Sequence, residues 1–427
     1  MNEAGKAAHH LARAALVALG VIILVFVLFV AWASRPSIAP ITPPAANLFP
    51  ARLVERGAAL AKIGNCASCH TASEGPAFAG GVPLATGFGT IYGSNITPDP
   101  ETGIGRWSQP AFSRALREGV ARDGSHLYPA FPYDHFTELS SGDIAALYAY
   151  LMTRPAVHRA TPANRLVLPL RFRPFIAGWK LLYFRPQPYR GTDLGGYLAE
   201  ALAHCGACHT PHNKLGAELR GQAYAGGWVD GWYAPPLNRD SPAVRAWTAD
   251  QLMALLRTGL STTHAAAAGP MGEVSHNLAS APEPAVRAIA TTFARNMADA
   301  RANRGEPALP DRAAAAAHQH PLGAALFQGA CSSCHEPGAR MMIEGRPPLE
   351  VGSPLHESNP RNTIQIILGG LNSPVGSAGP YMPAFGETFT DPEVAEIVNY
   401  LHVRYGTGPS WSNVSADVKR AREGRNP

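Results

Sequence analysis

The chain has 427 residues and a mass of 45.2 kDa, enough for two to four domains of ordinary size. Hydrophobic residues make up 46% and charged residues 16%, which is too apolar for a chain disordered throughout and too charged for a multi-span transporter. A formal net charge of +5 is too weak to imply a nucleic-acid partner, and six cysteines are too few to build a disulfide scaffold.

Residues 1–10 precede an apolar stretch over 11–33, of which LVALGVIILVFVLFVAWA carries no charge. About 23 apolar residues suffice to cross ~30 Å of hydrocarbon. Lys6 and Arg13 lie on the N-terminal side, so the positive-inside rule leaves residues 1–10 in the cytoplasm. Ala31-Trp32-Ala33 matches a signal-peptide cleavage site, but the run is longer than an ordinary signal core, so a retained anchor is the preferred reading. Either way the rest of the chain is delivered across the membrane. Residues 34–50, rich in Pro and Ala, read as a tether.

Three repeats follow, over 51–155, 191–300 and 319–406. Each opens on a helical stretch: RLVERGAALAKIGNC, GTDLGGYLAEALAHC and HPLGAALFQGAC. Gly57, Gly196 and Gly323 lie nine, nine and eight residues before the next cysteine, where a missing side chain allows close helix crossing or serves as a cap. Gly/Pro-rich loops and a middle helix ending in Gly119, Gly259 or Gly369 come next. A closing helix with apolar periodicity ends each repeat, with Ser140 or Ser141 and Thr390 or Asp391 as candidate caps. The expected fold is all-α: three tandem domains of a few helices each behind a transmembrane helix. Residues 156–190 and 301–318 read as linkers and 407–427 as a flexible, solvated tail.

All six cysteines fall in three pentapeptides: Cys66-Ala-Ser-Cys69-His70, Cys205-Gly-Ala-Cys208-His209 and Cys331-Ser-Ser-Cys334-His335. Random placement would give roughly 0.003 copies of this pattern. Two thiols three positions apart can add to the two vinyl groups of one haem, and the next imidazole then lies under the iron. A zinc site would need cysteine pairs converging on one ion, and a dithiol redox motif needs no following histidine. The expectation is three covalent haem c groups with His70, His209 and His335 as proximal ligands, which makes the three helical units tandem class I cytochrome c-like domains.

A second axial ligand is expected on the loop after the middle helix. Met271 lies 12 residues beyond Gly259 and Met382 lies 13 beyond Gly369, each next to proline. Met341 and Met342 follow His335 too closely to reach the opposite haem face. In the first repeat the equivalent position is Phe131, which has no lone pair to give. His135 is the leading substitute, an open iron is the alternative, and His126 and Met152 trail. Two imidazoles favour a lower potential than His/Met, while an open iron binds small molecules.

The linker over 156–190 is unlike the rest of the chain. From Arg154 to Arg190 there are seven Arg, one Lys and no Asp or Glu, together with the apolar run LVLPLRFRPFIAGWKLLYF. It reads either as a strap whose arginines meet haem propionates and carboxylates, or as a docking strip for a partner subunit or anionic headgroups.

With these residues in view the chain resembles the three-haem cytochrome c subunits of membrane-bound bacterial dehydrogenases, over about Glu55 to Tyr405. YGSNITPDPETGIGRWS, ALYAYLMTRPAV, HCGACHTPHNKLGAE, the segment at Met271 and MPAFGETFTDPEVAEIVNYL carry the likeness. LYPAFPYDHF and FIAGWKLLYF are similar to the cytochrome partners of molybdenum hydroxylases and aldehyde dehydrogenases; the alcohol dehydrogenase branch has Met where Phe131 stands. The resemblance implies an electron conduit on the periplasmic side of the inner membrane. Its expected partners are a catalytic dehydrogenase subunit, a small iron–sulfur subunit, and ubiquinone or a terminal oxidase as acceptor. A quinoprotein or flavoprotein donor is the alternative to the molybdenum branch. Rival readings are a peroxidase working at an open first haem and a subunit of a terminal oxidase. No dinucleotide fingerprint, nucleophile elbow or paired-carboxylate constellation would carry chemistry of the chain's own.

Overall fold

The computed structural model describes residues 3–298, 309, 311–339, 347–371, 382–408 and 410–424. Met341 and Met342 lie outside them. The chain begins with α1 (Glu3–Ala33), of which His9–Ala33 is long and apolar enough to cross a membrane and is exposed along most of its length. Its end rests on the body of the protein: the Ala33 carbonyl accepts a hydrogen bond from His126 Nε2 at 2.7 Å. The following residues are not a free tether. The Ile38 and Ile41 amides donate to the Arg122 and Arg106 carbonyls, and the Arg114 and Arg122 guanidiniums donate to those of Pro36 and Ile38. A Pro-rich strand cannot satisfy its own backbone, and here the first repeat does so.

In the first repeat, α2 (Ala51–Ile63) leads into the turn α3 (Cys66–His70). The hairpin β1 (Pro83–Thr86) and β2 (Gly89–Tyr92) precedes α4 (Gln109–Glu118), α5 (Tyr133–Phe136) and α6 (Ser141–Met152). Ser108 and Ser140 cap α4 and α6 by accepting from the Ala111 and Asp143 amides, and Gly119 stops α4 at φ 61°. The linker then adds β3 (Arg165–Leu166) antiparallel to β2 and forms α7 (Pro174–Tyr183). Among the described residues, its Arg171, Arg173 and Arg185 donate to the backbone carbonyls of Leu166, His126 and Leu181.

The second repeat runs α8 (Leu194–Tyr197), a π-helical turn over Leu198–Leu202, and α9 (Gly206–His209). A hairpin of β4 (Gly227–Val229) and β5 (Trp232–Ala234) follows, then α10 (Ala249–Thr258), the pair β6 (Leu260–Ser261) and β7 (Ala265–Ala266), α11 (Pro270–Ala279) and α12 (Glu283–Met297). In the third are α13 (Ala313–Gln319), α14 (Pro321–Ala330), α15 (Ser332–His335), α16 (Arg361–Gly369), α17 (Asp391–Tyr405) and α18 (Val414–Arg422). Capping boxes start α10 at Thr248 and α17 at Thr390. The molecule is mainly helical, and among the described residues three small antiparallel sheets of two- to four-residue strands ride on the loops.

One helix crossing recurs three times. A Cβ on Gly57 would fall 1.9 Å from the Ala146 carbonyl oxygen, with the Tyr150 side chain beside it. On Gly323 it would fall 2.2 Å from the Glu396 oxygen, beside Tyr400. In the second repeat the crossing glycine is Gly195, at 2.2 Å from the Ala288 oxygen and beside Thr292, and not Gly196. The carbonyl and the flanking side chain are four residues apart each time, so one geometry is used throughout. Gly195 stands ten residues before Cys205 instead of nine. The π-helical turn between them takes up the extra residue and keeps the cysteine in place.

The repeats share apolar cores unequally. A single core joins Leu60, Leu147 and Leu151 of the first repeat to Leu198, Leu202, Ile289 and Phe293 of the second. The third has its own, built on Phe327, Ile364, Val394, Val398 and Leu401. The segment expected to be a solvated tail belongs to that second core. α18 buries Val414, Val418 and Ala421, and Arg422 binds the Asp391 carboxylate and the Gly386 and Phe389 carbonyls. Its many arginines suggest solvent, but its apolar residues recur at i, i+4 and i+7 and face α16 and α17.

Candidate haem attachment sites

The three cysteine pairs lie on one helical turn each, and all six thiols are free of disulfides. Burial pushes the Cys66 and Cys205 thiols up to about 12, the reverse of the lowered thiol that dithiol redox chemistry requires. His70 Nδ1 lies 2.6 Å from the Ser94 carbonyl and His209 Nδ1 lies 2.7 Å from the Pro235 carbonyl. A carbonyl only accepts, so Nδ1 carries the hydrogen and Nε2 keeps its lone pair for a metal. Burial holds both imidazoles below the ordinary histidine range, which keeps them neutral as iron ligation requires. These residues fit covalent haem on geometry and on charge.

The loop behind each pair is built alike in the first two repeats. The His70 and His209 carbonyls accept from the Gly80 and Gly226 amides at 2.7 and 2.8 Å. Thr71 and Thr210 accept from the amides of Phe78 and Tyr224, both of which adopt positive φ. Gly93 and Gly227 press on the Cys69 and Cys208 carbonyls, where a Cβ would lie at 1.7 and 2.4 Å. These partners escape sequence reasoning, although the Thr after each His is a visible signal. The third repeat has Glu336 at that position. Buried Arg404 on α17 donates to both Glu336 oxygens and both Asp311 oxygens, clamping the chain beside His335 to the closing helix.

The first two attachment turns face each other. The end of α2 meets the π-helical turn at Gly64 and Leu202. From the second repeat, Asn277 Nδ2 donates to Asn65 Oδ1 and to Ser68 Oγ. From the first, Lys62 Nζ donates to the Ser280 carbonyl at 3.2 Å. Cys208 is pushed up to about 11, first by burial and then by the nearby Cys69 thiol. Two attachment sites therefore sit side by side across one interface.

His135 belongs to that interface and is not placed as an axial ligand of the first haem. Its Nδ1 donates to the Glu200 carbonyl at 2.8 Å and its Nε2 lies 2.7 Å from Glu218 Oε1. Both nitrogens are therefore engaged, and the ring packs on Gly206 inside the second attachment turn. Burial opposes its charge, but the hydrogen bond and charge of Glu218 outweigh it and lift His135 to about 9. His126 is likewise engaged at both nitrogens, by the Ala33 carbonyl and by Lys180 Nζ. Met152 is buried in the shared core. Met271, at the start of α11, packs partly buried against that core. Met382 pairs with Leu371 through two backbone hydrogen bonds and packs against the core of the third repeat.

A helical turn that offers two thiols and a neutral imidazole with its Nδ1 tied to a carbonyl defines the class of c-type cytochromes. Residues 54–155 match the family model described as cytochrome c, and residues 318–401 match that of cytochrome c oxidase, cbb3-type, subunit III. The chain is 43% identical over 402 residues to a nicotinate dehydrogenase subunit of Pseudomonas putida, a match over 91% of this chain and 33% of that protein. It therefore spans about a third of that relative's length. It is 34% identical to the fructose dehydrogenase cytochrome subunit of Gluconobacter japonicus over 87% of this chain and 83% of the other. It is also 34% identical to the gluconate 2-dehydrogenase cytochrome c subunit of Pantoea cypripedii, over 87% and 90%. The chain belongs to the family of cytochrome c subunits of bacterial dehydrogenases.

Proposed function

We propose that this chain is a three-haem electron conduit that takes electrons from a catalytic dehydrogenase subunit and passes them to ubiquinone or the respiratory chain. The observation that carries it is the face-to-face packing of the first two attachment turns, with Cys69 beside Cys208 and Asn277 bridging to Asn65 and Ser68. Haems held on those turns would be neighbours, the arrangement that single-electron relay needs. The recurring glycine crossing supports three cytochrome c-like domains, and the thrice-repeated Cys-X-X-Cys-His supports three haem c groups. Within each, the two cysteines would hold the porphyrin and His70, His209 or His335 would ligate the iron from below. Met271 and Met382 are the candidate upper ligands in the second and third. Bound haem supplies reversible one-electron chemistry; the chain's own residues fix tautomer, orientation and burial.

The catalytic partner we infer is a molybdenum-dependent enzyme oxidising an aldehyde or N-heterocycle, with a small iron–sulfur subunit relaying electrons from one to the other. The likeness to the nicotinate dehydrogenase chain over 91% of this one favours that branch over quinoprotein or flavoprotein donors. The oxidase-subunit likeness covers only the third repeat, which weighs against a terminal oxidase subunit. α1 would anchor the chain in the inner membrane with the haem domains in the periplasm. The test is haem reduction in membranes containing this chain and its genomic neighbours. Aldehyde or N-heterocycle should reduce the haems anaerobically, and added ubiquinone should reoxidise them. Haems that no dehydrogenase substrate reduces, together with peroxide turnover by this chain alone, would overturn the reading.

A further inference from the structure

The linker helix α7 has an outward face of the wrong polarity for water. Its inner face buries Ile176, Ala177 and the one charged side chain, Lys180, which donates to the Glu118 and Gly119 carbonyls at 2.6 Å. The side turned away from the protein carries Phe175, Gly178 and Leu182, and Leu182 is 64% exposed. A surface helix ordinarily shows polar residues there. The approach to the helix adds Leu168, 78% exposed, and Phe172. Single exposed apolar residues are ordinary, but a contiguous set on one short element marks an interaction surface.

Its position says what covers that surface. Phe172 stacks on Phe26 and Phe175 packs on Phe29, with ring centroids 5.7 Å apart in both pairs. These α1 residues stand seven and four positions before its end at Ala33, or about 10 and 6 Å down the helix axis. That is the depth, ~5–10 Å, at which helices lying in a membrane interface bury their apolar side. The rim is cationic: Arg165, Arg171, Arg185 and Arg190 are exposed, and no Asp or Glu occurs between Arg154 and Arg190. Trp179 and Tyr183 pack on each other at the edge, the residue types that favour the headgroup level.

We propose that α7 and the segment leading into it form a second membrane contact, lying in the outer leaflet beside α1 with arginines at the anionic phospholipid headgroups. The proposal rests on the reading of α1 as a membrane span. Two contacts on one rigid body fix the tilt of the haem domains above the bilayer, because the end of α1 is also tied to His126 and the segment after it, at Ile38, to Arg122. A single flexible stalk would leave that tilt free.

The test uses the full haem-loaded chain in vesicles of anionic phospholipid, with an environment-sensitive fluorophore on one introduced cysteine. Leu182→Cys and Leu168→Cys should lose fluorescence to an acyl-chain quencher and resist an aqueous one. Leu322→Cys, at an exposed position on α14 of the third repeat, should do the reverse. Leu24→Cys reports α1 separately. If Leu24 is quenched from the acyl chains while Leu182 and Leu168 stay open to the aqueous quencher, the second contact is refuted and the anchor stands. If Leu24 is not quenched, the anchor fails and this proposal fails with it. Protection of Leu182 that develops only when another subunit is added assigns the surface to a protein partner and overturns the proposal. An unchanged visible spectrum confirms that each labelled chain is folded.

Discussion

Two glycines of α14 offer a controlled test of how the cytochrome units are held together. A Cβ on Gly323 would lie 2.2 Å from the Glu396 carbonyl oxygen of α17, about 1.2 Å short of ordinary contact, whereas a Cβ on Gly329 meets nothing within 4 Å. The obstructing atom is backbone, so no rotamer change relieves it and the helices must separate. Overpacking of this kind costs about 1–3 kcal/mol, and a rigid partner places Gly323→Ala at the upper end. Helix propensity returns roughly 1 kcal/mol, leaving a net loss of about 2 kcal/mol. Gly329→Ala keeps the propensity gain alone and should stabilise by up to about 1 kcal/mol. The third repeat has its own core, so the effect should fall on one unit of fewer than ~100 residues, as a drop of roughly 10 °C in Tm for Gly323→Ala. Thermal unfolding followed in the Soret band would read both variants. Equal effects of the same sign would refute the close crossing.

Met271→Ala and Met382→Ala should each raise the high-spin fraction of one haem in the optical spectrum; two unchanged spectra would sink both axial assignments. His135→Ala should leave the haem spectra unaltered but lower stability by up to about 3 kcal/mol, because the partly buried Glu218 loses its partner. A ligation change in that variant would restore His135 as an iron ligand. Glu357 is buried beneath Asn362, and burial pushes its carboxyl from 4.5 to about 8. Between those values the folded chain keeps a proton that the unfolded chain has released. The stability this confers is complete below about 4.5 and is lost as pH rises to about 8. Urea midpoints for Glu357→Gln should therefore decline less over that interval than those of the parent; parallel curves would contradict it.

What can be read from the sequence follows local rules. The attachment turns, the capped middle and closing helices, and the Gly57 and Gly323 crossings all lie within short spacings. Counting residues points to Gly196 instead of Gly195 because a π-helical turn carries no sequence signature to count by. The hairpins are invisible because strands of three or four residues, such as Gly89–Tyr92, show no alternation. The strapped segment at Ile38, the docked α18 and the pairing of Asn65 with Asn277 depend on contacts between distant parts of the chain. His135 illustrates the limit most clearly. Its place four residues beyond Phe131 makes it the nearest substitute for an axial ligand, yet its partners Glu200 and Glu218 come from the next repeat.

Intact mass of the purified chain, matured in a host that attaches haem c, addresses the central claim directly. The account predicts a red protein whose mass exceeds the polypeptide by three haems, each lost only when one cysteine pair is replaced. A colourless chain at the bare polypeptide mass would contradict it, as would a chain whose added mass survives replacement of all six cysteines.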